Sequence, residues 1–316
     1  MWADLGSILL GTLLLMLGTD SLSHGVSGLL ARNSDEAYPA ALGGTVVAAV
    51  LAPLAILVAA LAMAQPDLAL GGLVGAALAQ LALLLGLAAL VAPLMVRPQA
   101  LNWINPALPV AVVLAWVLGL DHAYSRVDGG LLVTAFVAVI VLLLRFAVRE
   151  RAAVRSLFEP APTRFGLPML LLRLLVGAVL AGLGAWRLVV GSVDLAQMLV
   201  LNPLIAGLLV LGPAGALGGL PTAFFAARRG RGDFAIGQGL FGALACVLLL
   251  LGVLALCQPL AVPASLLRIE WPVVCALAVA VYPMMRSDGA LSAREGGMLL
   301  GSYALFVLAE IWLTRL

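Results

Sequence analysis

The chain has 316 residues, 64% of them hydrophobic and only 10% charged, with a net charge of +2 and a mean hydropathy of +1.18. Soluble domains are roughly 45–50% apolar and about 25% charged, so these values exclude a soluble globular domain and indicate an integral membrane protein. All 17 basic residues are arginine, so their placement along the chain says more than their sum.

A helix needs ~20 apolar residues to cross ~30 Å of hydrocarbon at 1.5 Å per residue. Splitting the apolar runs at Pro, Gly and charge predicts about ten spanning helices, near 5–30, 39–64, 69–95, 104–120, 129–148, 168–191, 197–227, 234–257, 271–285 and 297–313. The first run follows Asp4 with no basic residue before it and no small-residue cleavage site. It reads as a permanent helix rather than a leader. Asn102 and Asn105 mark the entry of the fourth span, and Asp121 and Asp128 a loop after it. Cys246, Cys257 and Cys275 are odd in number and lie in or beside apolar segments, where free cysteine behaves as a small hydrophobe, so no disulfide, metal site or redox pair is predicted.

Between the fifth and sixth spans lies RFAVRERAAVRSLFEPAPTRF, with Arg145, Arg149, Arg151, Arg155 and Arg164 in one polar connection. The positive-inside rule makes this linker cytoplasmic. The loops holding Arg32, Arg97, Arg228, Arg229, Arg231, Arg286 and Arg294 then fall inside as well. Arg126, Arg268, Arg315 and Arg187 remain outside, with both termini. The lack of lysine suggests a GC-rich bacterial genome, hence a bacterial inner (plasma) membrane. RRGRGD at Arg228 fits a cytoplasmic helix end, and no nucleic-acid partner is expected.

The stretch PDLALGGLVGAALAQLALLLGLAALVAPL at Pro66 aligns without a gap with GDFAIGQGLFGALACVLLLLGVLALCQPL at Gly232. Asp67 matches Asp233 and Pro93 matches Pro259, so the likeness goes beyond shared apolar composition. The same 166-residue offset pairs LGTD at Leu17 with LGAW at Leu183, Gly25 with Gly191, and Pro106 with Pro272. With one inserted residue, SRVDG at Ser125 matches SAREG at Ser292. Five helices per copy is odd, so the second copy inserts upside down. That pattern marks an inverted-repeat secondary transporter with its site near the midplane. The units are 1–148, a linker 149–167, and 168–316.

Over nearly the whole length the sequence resembles the cation/calcium antiporter family, the sodium/calcium exchanger membrane region in its compact bacterial form. LGTDSLSHGVSGLLAR is similar to that family's first helix, DHAYSRVDGGLLVTAF to its fifth-helix entry, AARRGRGDFAIGQGLFG to the middle of its second repeat, and RSDGALSAREGGMLLGSYALF to its last helix with the preceding loop. The resemblance implies an all-α integral membrane fold of ten helices in two inverted five-helix repeats. It also implies a cation site built from Gly-Thr-Ser-x-Pro-Glu and Gly-Asn-x-x-Gly-Ser-Asn motifs in each repeat. A desolvated calcium ion needs about six to eight oxygen ligands, some anionic.

Those oxygens are missing here. In the second repeat Gly219 stands at the glutamate position. In the first, that position falls within Pro53, Leu54 and Ala55, none of them acidic. Gly72 and Ala77, then Gln238 and Ala243, stand at the asparagine positions, so only Gln238 keeps an amide; Gln80 adds a second one turn beyond Ala77. Loop charges, helix-end prolines and helix lengths survive while the polar centre is Gly, Ala and Leu.

Several groups are candidates for a transport path: Thr45, Gln80, Thr222 and Gln238 near the expected midplane, and Asp20 with His24 one turn on. The Asp20–His24 pair suits proton linkage; it equally suits an architectural acid outside the ion site. The four polar groups equally suit interhelical hydrogen bonds in lipid. Glycines 71, 72, 75, 215, 218 and 219 would leave free amides and carbonyls around a small cavity. Arg173 and Arg187 are expected to snorkel, and Glu310 to be hydrated at the end of the last helix. No phosphate loop, nucleophile elbow or metal cluster is present, so no enzyme and no cofactor is predicted. Two functions remain open: a transporter whose cargo is not calcium, or a non-transporting exchanger relative acting as a scaffold or subunit beside another membrane protein or a second copy of itself.

Overall fold

The computed structural model describes residues 2–33, 37–95, 98–149, 166–287 and 290–313, with side chains described for these except residues 2, 3, 30–33, 37–45, 98–105, 143, 144, 146–149, 286 and 287. The helices are α1 (Trp2–Asn33), α2 (Ala37–Ala62), α3 (Pro66–Val91), α4 (Pro98–Leu118), α5 (Arg126–Arg149), α6 (Leu167–Leu199), α7 (Pro203–Leu217), α8 (Leu220–Arg228), α9 (Gly232–Cys257), α10 (Trp271–Ser287) and α11 (Ala293–Leu313). Two-residue strands β1 (Leu94–Met95), β2 (Ala123–Tyr124), β3 (Leu260–Ala261) and β4 (Ala290–Leu291) lie between them. Among the described residues six helices are long and apolar enough to cross a membrane, and α7 with α8 makes a seventh if counted as one bent span. The expected single helix over 197–227 is corrected: α6 runs on to Leu199, a turn follows with Val200 left-handed, and Pro203 restarts the chain under an Asn202 cap.

Burial sorts the spans. In α3 and α9, 78% of the most apolar 18-residue stretch is buried, and these helices form the centre, whereas in α1, α6 and α11 only 22% of that stretch is buried and most of it turns outward. This is the inverse of a soluble core. Lipid is as apolar as leucine, so helices associate through close packing and small residues rather than through water exclusion.

The repeat seen in the sequence is a pseudo-two-fold in the structure. β1 pairs antiparallel with β4, and β2 with β3. Leu94 opposite Leu291 in one ladder becomes Leu260 opposite Tyr124 in the other, which are the residues the sequence alignment matches. α1 and α6 cross in the same reciprocal way, through Gly11 against Gly184 and Gly18 against Gly177, where an added Cβ would come within 2.9 Å of the partner carbonyl. Ser7 Oγ then donates to Arg187 O (3.3 Å) and Ser21 Oγ to Arg173 O (3.0 Å), again equivalent under the exchange of halves. Two helix starts carry the same capping box: Ser125 Oγ donates to Asp128 Oδ2 at 2.7 Å, and Ser292 Oγ to Glu295 Oε2 at 2.8 Å.

Among the described residues four helical stretches widen into π turns: Gln80–Leu84 in α3, Gly207–Leu211 in α7, Ala245–Leu250 in α9, and Leu266–Glu270 leading into α10. Those in α3 and α9 are repeat-equivalent and sit at the centre. Single π turns inside helices frequently mark functional positions.

Candidate functional site

The only break in a span among the described residues falls at Gly218 and Gly219, where α7 and α8 meet at 43°. Carbonyls released at such a bend inside hydrocarbon must be satisfied by neighbouring groups. Here side chains from three helices reach the Gly218 and Gly219 carbonyls. Gly219 O accepts the first amide of α8, Ala223 N–H, at 3.2 Å and also Gln238 Nε2 of α9 at 2.9 Å. Thr222 Oγ1 of α8 lies 2.8 Å from Gly219 O and 3.0 Å from Gln238 Oε1, so its single proton serves one or the other. Thr19 Oγ1 of α1 lies 2.7 Å from Leu15 O and 2.8 Å from Gly218 O, tying α1 to the break. Thr19 and Gln238 are buried, 2% and 0% exposed.

The halves meet at the same place. Gly218 packs against the Cβ of Ala52, its own equivalent at the 166-residue offset, so the pseudo-two-fold passes between them. Pro53, next to Ala52, is buried and remains inside the α-helix of α2. It lines a cavity of about 10 Å³ with Ile56, Leu57, Ala69, Gly72, Leu73, Ala76 and Leu211. About one water-sized sphere fits there, among side chains that are all apolar.

The structure brings Thr222 and Gln238 together as one network and places Gln80 one crossing away. Gln80 is 1% exposed, its amide lies over Gly242 one turn beyond Gln238, and its Oε1 has no hydrogen-bond partner. Of the positions expected from the resemblance to match ligands, Gly72, Ala77 and Ala243 are buried within unbroken helix, Leu54 faces outward and Ala55 is half-buried. Thr45 lies in α2, and its side chain is outside the described residues.

Asp20 and His24 are not part of this centre. Their side chains are 33% and 45% exposed, on the outward face of α1 shared with Leu13 and Leu17, with His24 Nδ1 3.6 Å from Asp20 Oδ1 and 2.9 Å from Asp20 O. Thr19, the neighbour that does reach the break, is not singled out by charge or by the repeat. Its signal was the four-residue spacing from Thr19 to Ser23, which puts two hydroxyls on one face.

Two further expectations are corrected. Glycines 71 and 75 lie inside the continuous helix α3, and a Cβ added at either would run into the backbone of Leu204 or Leu208 in α7, so they serve close helix packing rather than a cavity. Glu310 is not hydrated: it is 4% exposed, as Glu270 is 1% exposed, and each keeps one carboxylate oxygen without a hydrogen-bond partner. Among the described residues no group of three or more His, Cys, Asp or Glu is arranged to hold a metal ion.

With this geometry in place, comparison with known proteins gives a consistent result. The pattern of the sodium/calcium exchanger protein family matches residues 4–145 and 169–312. Inner membrane protein YrbG of Escherichia coli is 28% identical over 261 residues, 80% of this chain and 79% of YrbG. CaxA of Alkalimonas amylolytica, a candidate antiporter by its name, is 30% identical over 138 residues, 44% of this chain, and the match spans 43% of CaxA. Among solved structures, the sodium-calcium exchanger NCX_Mj soaked with sodium and strontium superposes with a TM-score of 0.68 at 23% identity, covering 97% of this chain and 98% of the other. At that identity the likeness speaks to fold.

Proposed function

From the premise that this chain belongs to the sodium/calcium exchanger protein family, we propose that it is a secondary transporter whose centre does not exchange calcium. The observation that carries this is the neutral network at the break, where Gln238 donates to the Gly219 carbonyl with the Thr222 hydroxyl beside it and neither side chain is charged. Calcium affinity follows the number of charged ligands. Two amides, two hydroxyls and a few carbonyls supply none, so the cargo is a monovalent cation, a proton or a small neutral solute.

The units 1–148 and 168–316 act as the two inverted halves, with the linker 149–167 on the cytoplasmic side of a bacterial inner membrane and both termini outside. Reporter fusions at the two ends and within the linker test this arrangement. A cytoplasmic signal from either terminus contradicts it.

The deciding measurement is calcium uptake into proteoliposomes driven by a sodium or a proton gradient. None is expected, and uptake above empty vesicles sinks the reading. A second reading, a non-transporting relative that is a subunit of a membrane complex or of a homo-oligomer, is favoured by the apolar lining of the cavity at Pro53. A stoichiometric partner copurifying with protein that carries no cation flux selects it over transport.

A further inference from the structure

Gly219 has no side chain, and the space a Cβ would need is taken by Gln238 Nε2. Residue 219 and residue 238 therefore compete for one position. The Gln238 side chain reaches it from α9, across the bend, and is fully buried there. An amide N–H group carries partial positive charge. Pointed at a carbonyl oxygen with a hydroxyl alongside, it makes the contacts that a dehydrated monovalent cation makes with oxygen dipoles in a narrow pore.

We propose that Gln238 is a tethered occupant of the central site, its Nε2 standing at the Gly219 carbonyl beside the Thr222 hydroxyl where a monovalent cation binds once the amide is removed. Gln238 is then a specificity-determining residue: it keeps the site neutral and filled, and any cargo using these oxygens must displace it. The inference deepens the carboxylate-free reading of the centre and rests on it. Shortening Gln238 takes one donor from the Gly219 carbonyl, which keeps the Ala223 N–H at 3.2 Å, and leaves the Thr222 hydroxyl without its amide partner. Oxygens so placed favour a cation or a water.

The test is thermal unfolding of the full chain in detergent, with sodium nitrate or thallium(I) nitrate against choline nitrate. Gln238→Ala is expected to melt lower than the unsubstituted protein in choline and to recover by about 2–4 °C in sodium or thallium. The unsubstituted protein is expected to be indifferent to the ion. Folded Gln238→Ala that ignores both ions overturns the proposal, and so does an equal response from the unsubstituted protein. Gln238→Asn, which draws the amide back by one methylene, is read by the same criterion where the alanine variant is not monodisperse. A second arm needs no ion: Gly219→Ala lowers the melting temperature when Gln238 is present and not when residue 238 is alanine. Equal losses in the two backgrounds show that the positions do not compete. Calcium uptake by the unsubstituted protein would remove the functional reading above, whereas the ion response and this cycle decide the role of Gln238 separately.

Discussion

Gly129 of α5 and Gly252 of α9 meet backbone to backbone. A Cβ on Gly129 would lie 2.7 Å from Gly252 O, and one on Gly252 would lie 2.9 Å from Gly129 O. The exchange of halves repeats the contact at Gly296 of α11 and Gly86 of α3, each with an added Cβ 2.9 Å from the other's carbonyl. Helices α5 and α11 are thus each held to a central helix by a pair of glycines that admits no side chain.

Gly129→Val forces these helices apart, and overpacking of this kind costs about 1–3 kcal/mol. Gly130, its neighbour, has nothing within 4 Å of an added Cβ. Gly130→Ala should instead stabilise by about 0.5–1 kcal/mol through helix propensity alone. Thermal unfolding of the two variants in detergent checks both signs; similar losses from both would mean that the crossing is not what holds α5.

Thr19→Val keeps the shape of the side chain and removes the hydroxyl shared by Leu15 O and Gly218 O. Interhelical hydrogen bonds in membrane proteins are worth about 0.6 kcal/mol on average and at most about 1.7. A loss in that range is expected, together with faster hydrogen exchange confined to residues near Gly218. Unchanged exchange there would show that Thr19 bonds only within its own helix.

Tyr124 lies in β2, outside the spans, buried and donating to Ala115 O at 2.9 Å. Burial raises its pKa above the ordinary tyrosine value of about 10, because the phenolate would be stripped of water. Its neutral form therefore supports the fold fully below the unfolded pKa, and that support is lost as pH climbs from there through the folded value. Stability should decline above about pH 10, and Tyr124→Phe should flatten that decline while costing about 1 kcal/mol at neutral pH for the lost bond. Unfolding midpoints measured from pH 8 to 11 distinguish the two curves.

Ser125→Ala and Ser292→Ala each delete the hydroxyl of one capping box. A loss of about 1 kcal/mol is expected from either, and the sum of the two from the double variant, since the boxes sit in different halves of the chain. Chemical denaturation of the four proteins supplies the comparison. A double loss far from the sum would reveal coupling between the halves through the strand ladders.

The family, the membrane setting and the inverted repeat were legible in the sequence because hydropathy and a constant residue offset do not depend on three-dimensional detail. Asp67 with Asp233, Gly25 with Gly191, and Ser125 with Ser292 already carried the symmetry. The absence of carboxylates at Pro53, Leu54, Ala55 and Gly219 was legible for the same reason: a residue type is fixed by the sequence alone.

What those residues do instead was decided by tertiary structure. Whether a glycine opens a cavity or seals a crossing depends on the helix facing it, and α7 lies directly over Gly71 and Gly75. The sequence named Gln238 and Thr222 as polar groups near the midplane, but a long side chain in an apolar run can snorkel, pair or stay unsatisfied. Only the bend at Gly218–Gly219, which brings the Gly219 carbonyl within reach of α9, fixes which partner it takes. Asp20 and Thr19 show the same division, since adjacent helical residues point about 100° apart. One faces outward and the other reaches the centre, and the packing of α1 on the rest of the molecule makes that choice.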